Sequence, residues 1–428
     1  MKKLNVLTLA AASILMLGGL AGCGNNDAGK PDPDKPVEPD KPFEQKFVKL
    51  DVASPADHHE LIKSLATTYN AERKAAKKDG IEVNMLDYGE GDVGTKVTDW
   101  ESGPDLFAFA SDQIKDFYAK GILSELPVAS EMHVETTMLD SVQGFAKLAG
   151  KTLAYPFSAD NTYYLYYDKS QINLEDVQSF ETLFAKAAEK GKKVSYNLKT
   201  AFYGIGALFT FGARYNIEFN EEGQITDTTA DFNTEKGLKA AKAIRSIVTN
   251  PNWVETETCP GAKKEAPIAT VSGTWNAKAY KDELGDNFAC TKIPTITVDG
   301  ETAGLHAFLG GKLYGVNAKK DAKNVMAAHE FATFLTGKTA QRARYDAKSV
   351  APTNKELAKA EDIIADPSIK AVDEQRTNSI PQTAVPGSIW GAYDTFYANL
   401  TAQIKLGEVT DEFLTTEMET LNKAITTL

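Results

Sequence analysis

Two places in the chain set an aromatic ring beside a hydrogen-bonding side chain, just past a short apolar run. Leu106-Phe107-Ala108-Phe109-Ala110 runs into Ser111-Asp112, and the apolar stretch from Ala266 to Ser272 closes on Gly273-Thr274-Trp275-Asn276. Each run reads as a buried strand followed by a helix start. In open α/β sheets, ligands lie at the carboxyl ends of strands. An aromatic face beside a carboxylate or amide suits a sugar ring, because the C–H face stacks on the aromatic while the hydroxyls donate to the polar group. Taken alone, Phe109 and Asp112 read equally as a core aromatic and a helix cap.

Other chemistries find less support. His58-His59 sits at a strand-to-helix turn, but adjacent helical residues diverge and no third ligand is near, so no metal site is expected. There is no Ser or Cys nucleophile motif, no phosphate-cradling loop and no dense metal cluster, and no cofactor is expected. Gly204 and Gly206 lack the strand-turn-helix context of a dinucleotide fingerprint. Asp112 and Asp160 could be proposed as paired hydrolytic carboxylates, but that chemistry needs a defined separation. The net charge of −12 argues against nucleic acid as a partner.

The elements that must position these residues follow α/β spacing. Phe47 to Val52 reads as a strand, Asp57 to Ala76 as a helix ended by Gly80, and Ile81 to Met85 as a second strand. Further helices are expected over 180–190, 205–211 and 234–248, with a strand at Val194 to Asn197. Tyr155 to Lys169 is the unusual stretch: a polar patch, Ser158 to Thr162, leads into Tyr163-Tyr164-Leu165-Tyr166-Tyr167. The aromatic run favours a strand. The polar patch reads as a turn where the chain crosses an open cleft between two lobes. A length of 428 residues agrees with two lobes. No apolar run in the body reaches membrane-spanning length.

The N-terminus carries its own signal. Met1-Lys2-Lys3, the apolar Val6 to Leu20 and then Leu20-Ala21-Gly22-Cys23 form an export signal. The last four residues resemble the lipobox of bacterial lipoproteins, in which residues 1–22 are removed and the Cys23 thiol carries lipid. Residues 23–46, with repeated Pro, Asp and Lys, cannot build a core and read as an extended tether of about 3 Å per residue. Cys259 and Cys290 are a candidate disulfide of an exported domain, or else two buried thiols.

Gly103-Pro104-Asp105 before its Phe-rich strand, Tyr155-Pro156 with Tyr167-Asp168-Lys169, Gly273-Thr274-Trp275, Ala307-Phe308-Leu309-Gly310-Gly311 and Ile380-Pro381-Gln382 before Trp390 occur in one order. That ordered set resembles the solute-binding proteins of ABC-type sugar importers, specifically the maltodextrin-binding branch, over roughly Phe47 to Leu428. The resemblance implies a two-lobed α/β fold of the periplasmic-binding-protein type, with an interlobe cleft and hinge crossings. Its lobes would be 47–157 plus 308–354, and 158–307 plus 355–428. Crossings would fall at Ser158–Thr162, Thr302–Phe308 and Val350–Glu356. Phe109, Phe202, Trp275 and Trp390 match the family's sugar-stacking positions, with Tyr203 and Asn276 beside them. Among polar positions, Asp112 precedes the family's Arg, and either Asp160 or Asn161, depending on a one-residue gap, matches its acidic residue.

The chain departs from the family at three places. It has Phe109 where members carry Trp, Gln113 where they carry Arg, and only Asp57 with His58 to substitute for an acidic–basic pair. The function implied is a non-enzymatic, monomeric, lipid-anchored receptor on the extracellular face of the membrane. It would capture a maltodextrin and deliver it to ABC permease subunits. Alternatives are a surface glycan-docking lipoprotein, a receptor for another oligosaccharide, and, more remotely, a glycoside hydrolase.

Overall fold

The chain opens on the expected strand-helix-strand unit. β1 (Phe47–Ser54) alternates exposed and buried residues in its first half, the mark of a half-covered strand. α1 (His59–Ala75) buries Ile62, Leu65, Ala66 and Tyr69, one stripe of a helix. β2 (Gly80–Asp87) then pairs in parallel with β1 along its whole length. The computed structural model that shows this describes residues 43–219, 225–382 and 385–427. Cys23, the export signal and most of the tether lie outside the described residues. Everything below concerns the unit Gln45–Leu428.

The other elements used here are β3 (Leu106–Ala110), β4 (Tyr155–Asn161), β5 (Tyr163–Asp168), β6 (Val194–Tyr196), α2 (Ala201–Leu208), β7 (Trp253–Val254), β8 (Ala269–Gly273), β9 (Phe288–Thr291), β10 (Ala307–Val316), α3 (Lys338–Lys348), β11 (Ser379–Pro381) and α4 (Ser388–Leu406). One sheet has the order β11-β10-β3-β1-β2, with β4 also paired to β10; the other runs β7-β6-β8-β5-β9. Each sheet has its own core. Leu50, Val52, Leu106 and Tyr155 pack on one face of the first sheet, and Phe107, Phe109 and Leu313 on the other. Tyr163, Leu165, Tyr196 and Val271 pack within the second.

Two strands link these cores. Tyr155 and Phe157 of β4 lie in the first core, and Tyr163, at the start of β5, lies in the second. β10 runs the other way: Ala307 and Phe308 belong to the second core, Leu313 and Tyr314 to the first. A third segment, Ala351–Thr353, leans on β4, with Ala159 N–H donating to the Ala351 carbonyl at 3.2 Å and Thr353 Oγ1 to the Pro156 carbonyl at 2.9 Å. The polar patch in β4 is therefore not the open turn read from the sequence. Residues 155–161 are extended and buried at every position. Ser158 donates to Asp160, Asp160 accepts from the Ala351 backbone of the neighbouring segment, and Asn161 donates to Gln382, which is how a buried strand can carry Ser, Asp and Asn.

The close glycines of α2 have a packing reason. A Cβ on Gly204 would come within 1.7 Å of Tyr393 Oη on α4, and one on Gly206 within 2.2 Å of Tyr163 Oη. The helix thus lies flush against α4 and β5. Gly204→Ala should destabilise the protein by about 1–3 kcal/mol, the cost of overpacking a filled core. Urea unfolding measures it, and a variant as stable as its parent would remove this contact from the account.

Candidate functional site

A cleft of about 1010 Å³ lies where residues of the two sheets meet. Its aromatic side comes from element ends of the second sheet and its helices. Phe202 opens α2, Trp275 follows β8 in a single 3-10 turn, and Trp390 sits in the first turn of α4. These rings form a continuous series through Phe308. Trp275 and Phe202 are 5.8 Å apart between centroids, Phe202 and Phe308 5.7 Å, and Phe308 and Trp390 5.6 Å. Trp275 is 46% exposed, a large apolar surface left open toward the cleft. Asn276 beside it donates to Ser272 Oγ at 2.8 Å, which fixes the turn.

The opposite side is polar. Asp112 and Gln113 lie in the 3-10 turn after β3, and Glu90 in the loop after β2. Gln113 Nε2 donates to the Glu90 carbonyl at 2.6 Å, tying these loops together. Asp112 caps no helix. Its Oδ1 is buried without a partner, and burial pushes its carboxyl up to about 6, with the nearby Asp116 adding to the shift. Lys312 of β10 reaches in beside Glu90, with 3.6 Å from Nζ to Oε1. Asn161 and Gln382 complete the floor, Asn161 Nδ2 donating to Gln382 Oε1 at 2.8 Å.

Asp57 and His58 also line the cleft, but not as a charged pair. Asp57 accepts from Lys348 Nζ of α3 at 2.7 Å. His58 is buried, and that burial lowers its imidazole to about 4, so at neutral pH it carries no charge.

Three expected ligand contacts lie elsewhere. Phe109 is fully buried and packs edge-on against Phe117, 5.1 Å between centroids. Side chains alternate across a strand, and position 109 falls on the face that meets the helix over Ile114–Ala119 rather than the cleft. Tyr203 lies one layer behind the aromatic series, buried, with Oη donating to Glu257 Oε2 at 2.5 Å. Asp160 is buried under the floor, where its Oδ2 accepts from Ala351 N–H at 2.7 Å; burial raises its carboxyl above the usual range. Asp112 and Asp160 are thus not paired carboxylates facing one substrate. Cys259 and Cys290 are free thiols, both packed against the small cluster around Tyr164 and Tyr166. The candidate disulfide is not formed. Among the described residues there is no group of three or more His, Cys, Asp or Glu placed to hold a metal, and no helix long and apolar enough to cross a membrane.

A family model of bacterial extracellular solute-binding proteins matches residues 65–371. The chain belongs to this family. Solved structures agree in fold. One, solved with acarbose, is 25% identical with a TM-score of 0.76, over 89% of this chain and 99% of its own. The maltodextrin-binding protein of L. casei BL23 without ligand is 23% identical with a TM-score of 0.73, over 89% and 100%. A cyclo/maltodextrin-binding protein complexed with maltotetraose is 20% identical with a TM-score of 0.64, over 89% and 97%. A search of curated protein sequences gave no match. The solute-binding protein is therefore a mixed α/β molecule of the two-lobed, maltose-binding-protein-like kind.

Sequence reasoning missed Glu90, Lys312 and Gln382 as residues of the cleft. Two signals were available. Glu90 stands alone between Gly89 and Gly91 shortly after a strand, and Lys312 is the one charge in an otherwise apolar ten-residue strand.

The burial of the Asp112 carboxyl, with its Oδ1 unpartnered, has a measurable cost. Its pKa is raised in the fold, so the folded state holds its proton to higher pH than the unfolded chain does. Stability is lost as pH rises from about 4 through about 6. Asp112→Asn should therefore stabilise the ligand-free protein at pH 7.5 by on the order of 1 kcal/mol, and by nearly nothing at pH 4. Urea unfolding at both values checks this. A variant less stable than its parent at pH 7.5 would show that the folded state favours the ionised carboxylate.

Proposed function

We propose that this solute-binding protein captures an oligosaccharide, first of all a maltodextrin of α-1,4-linked glucose, in its interlobe cleft. The observation that carries the reading is that Trp275, Phe202 and Trp390, linked from behind by the buried Phe308, line the same cleft as Asp112, Gln113 and Glu90. Flat apolar rings opposite hydrogen-bonding groups match the two kinds of surface on a pyranose, its C–H faces and its hydroxyls. A cleft of this volume takes more than one sugar unit. Relatives of the same fold were solved with maltotetraose and with acarbose, which supports the same ligand class here.

The lobes of this reading are 47–157 plus 308–354, and 158–307 plus 355–428. They would close on the sugar about the three crossings by a hinge motion, driven by contacts that only the closed form makes with both walls. The captured sugar would pass to ABC permease subunits. The lipidated Cys23 and the tether to residue 46 would hold a monomeric receptor at the outer face of the membrane.

Trp275→Ala and Trp390→Ala should each weaken maltotriose binding by at least about 1 kcal/mol, as expected for an aromatic anchor that the ligand covers. Phe109→Leu should leave affinity near that of the parent. Isothermal titration calorimetry measures all three. Unchanged binding in both Trp variants would remove the ring series from the site, and with it the sugar reading.

A further inference from the structure

Lys312 occupies a place that the aromatic wall alone does not explain. It projects from β10 where pairing with β4 shifts register on both sides of it, between Gly310 and Lys312 and again between Lys312 and Leu313. Such irregularities re-aim a side chain. Its ammonium lies 6.0 Å from the centroid of the Trp275 ring, which comes from the other sheet. It is 3.6 Å from Glu90 Oε1, too long for a hydrogen bond. The two side chains are only 14% and 11% exposed, and Glu90 Oε1 is buried with no hydrogen-bond partner. A nearly buried ammonium with three donors and a nearly buried carboxylate, neither satisfied by the other, are costly to leave unfilled. Both line the cleft, and the ammonium lies over the most exposed ring in it.

We infer that Lys312 and Glu90 form a ligand-binding ion pair, donating to and accepting from the hydroxyls of the sugar unit stacked on Trp275. The assignment rests on the oligosaccharide reading above and adds a specificity element to it. The pair would favour a ring with neighbouring hydroxyls, one to accept from the ammonium and one to donate to the carboxylate. The flexible lysine stem lets the ammonium move off the indole face as the ring enters. Its charge also offsets that of the buried Asp160, so a variant must be chosen that separates ligand contact from support of the fold.

The experiment is calorimetric titration of maltotriose into the purified protein and into Lys312→Met, Lys312→Arg and Glu90→Gln, with thermal melting of each unliganded protein. Lys312→Met and Glu90→Gln should each bind about tenfold more weakly, the loss expected for one charge-assisted hydrogen bond. Lys312→Arg should recover part of that loss. Glu90→Gln keeps the lysine near Asp160, so its unliganded melting temperature should stay close to the parent's even where that of Lys312→Met falls. Parent-like or tighter binding by Glu90→Gln, or by a Lys312→Met protein that melts like the parent, overturns the assignment and leaves the sugar reading intact. A parent protein that takes up no maltotriose overturns both.

Discussion

The cleft depends on one buried carboxylate, that of Asp160. Its Oδ2 accepts from the backbone of Ala351 in the third crossing at 2.7 Å, while Ser158 Oγ in the first crossing donates to its Oδ1. Its own carbonyl accepts from Thr274 Oγ1 at 2.6 Å, and Thr274 begins the turn that carries Trp275. One residue thus ties two chain crossings to the turn bearing the most exposed aromatic of the site. Burying a carboxylate is costly, and burial does raise this one's pKa. The hydrogen bonds that offset the cost connect the chain crossings to the aromatic side of the cleft. Gln341 extends the same frame, its Oε1 accepting from the backbone of Thr353 and Asn354 at 2.7 and 3.0 Å.

A second layer holds the stacking surface rigid. Glu257 accepts from Tyr203 Oη and from Ser272 Oγ, the latter at 3.0 Å, and Ser272 in turn accepts from Asn276. Tyr203 and Asn276 flank Trp275 from behind and beside, with Tyr203 and Trp275 centroids 6.3 Å apart. A ring whose neighbours are fixed loses little entropy when a ligand stacks on it. The polar wall differs in kind: Asp112 Oδ1 lacks a partner, and Glu90 and Lys312 meet beyond hydrogen-bond length. The aromatic side is pre-organised, and the polar side is left to be satisfied by what enters.

Much of this was legible in the sequence, for identifiable reasons. The strand-helix-strand opening showed through its apolar spacing. Phe202, Trp275 and Trp390, which the structure brings to the cleft, stood out in the sequence because each lies at the start of a helical element rather than within a strand, where an aromatic is simply core. Phe109 sits at a strand end too, but the parity of a strand decides which face a residue takes. Only the packing of the helix above it settles that the face is closed. The same parity separates Asp160 from Asn161, adjacent in sequence, one under the floor and one in it. Lys312 and Gln382 escaped notice because their role comes from chain crossings that bring distant segments together, and a single sequence carries no trace of that proximity.

The measurement that tests the central claim most directly is calorimetric titration of the protein with a panel of sugars: maltose, maltotriose, a longer maltodextrin, a cyclodextrin and an unrelated β-linked oligosaccharide. The account predicts saturable binding of the α-glucans with no hydrolysis products in the cell afterwards. Binding confined to the β-linked sugar, or no heat from any member of the panel, would contradict it.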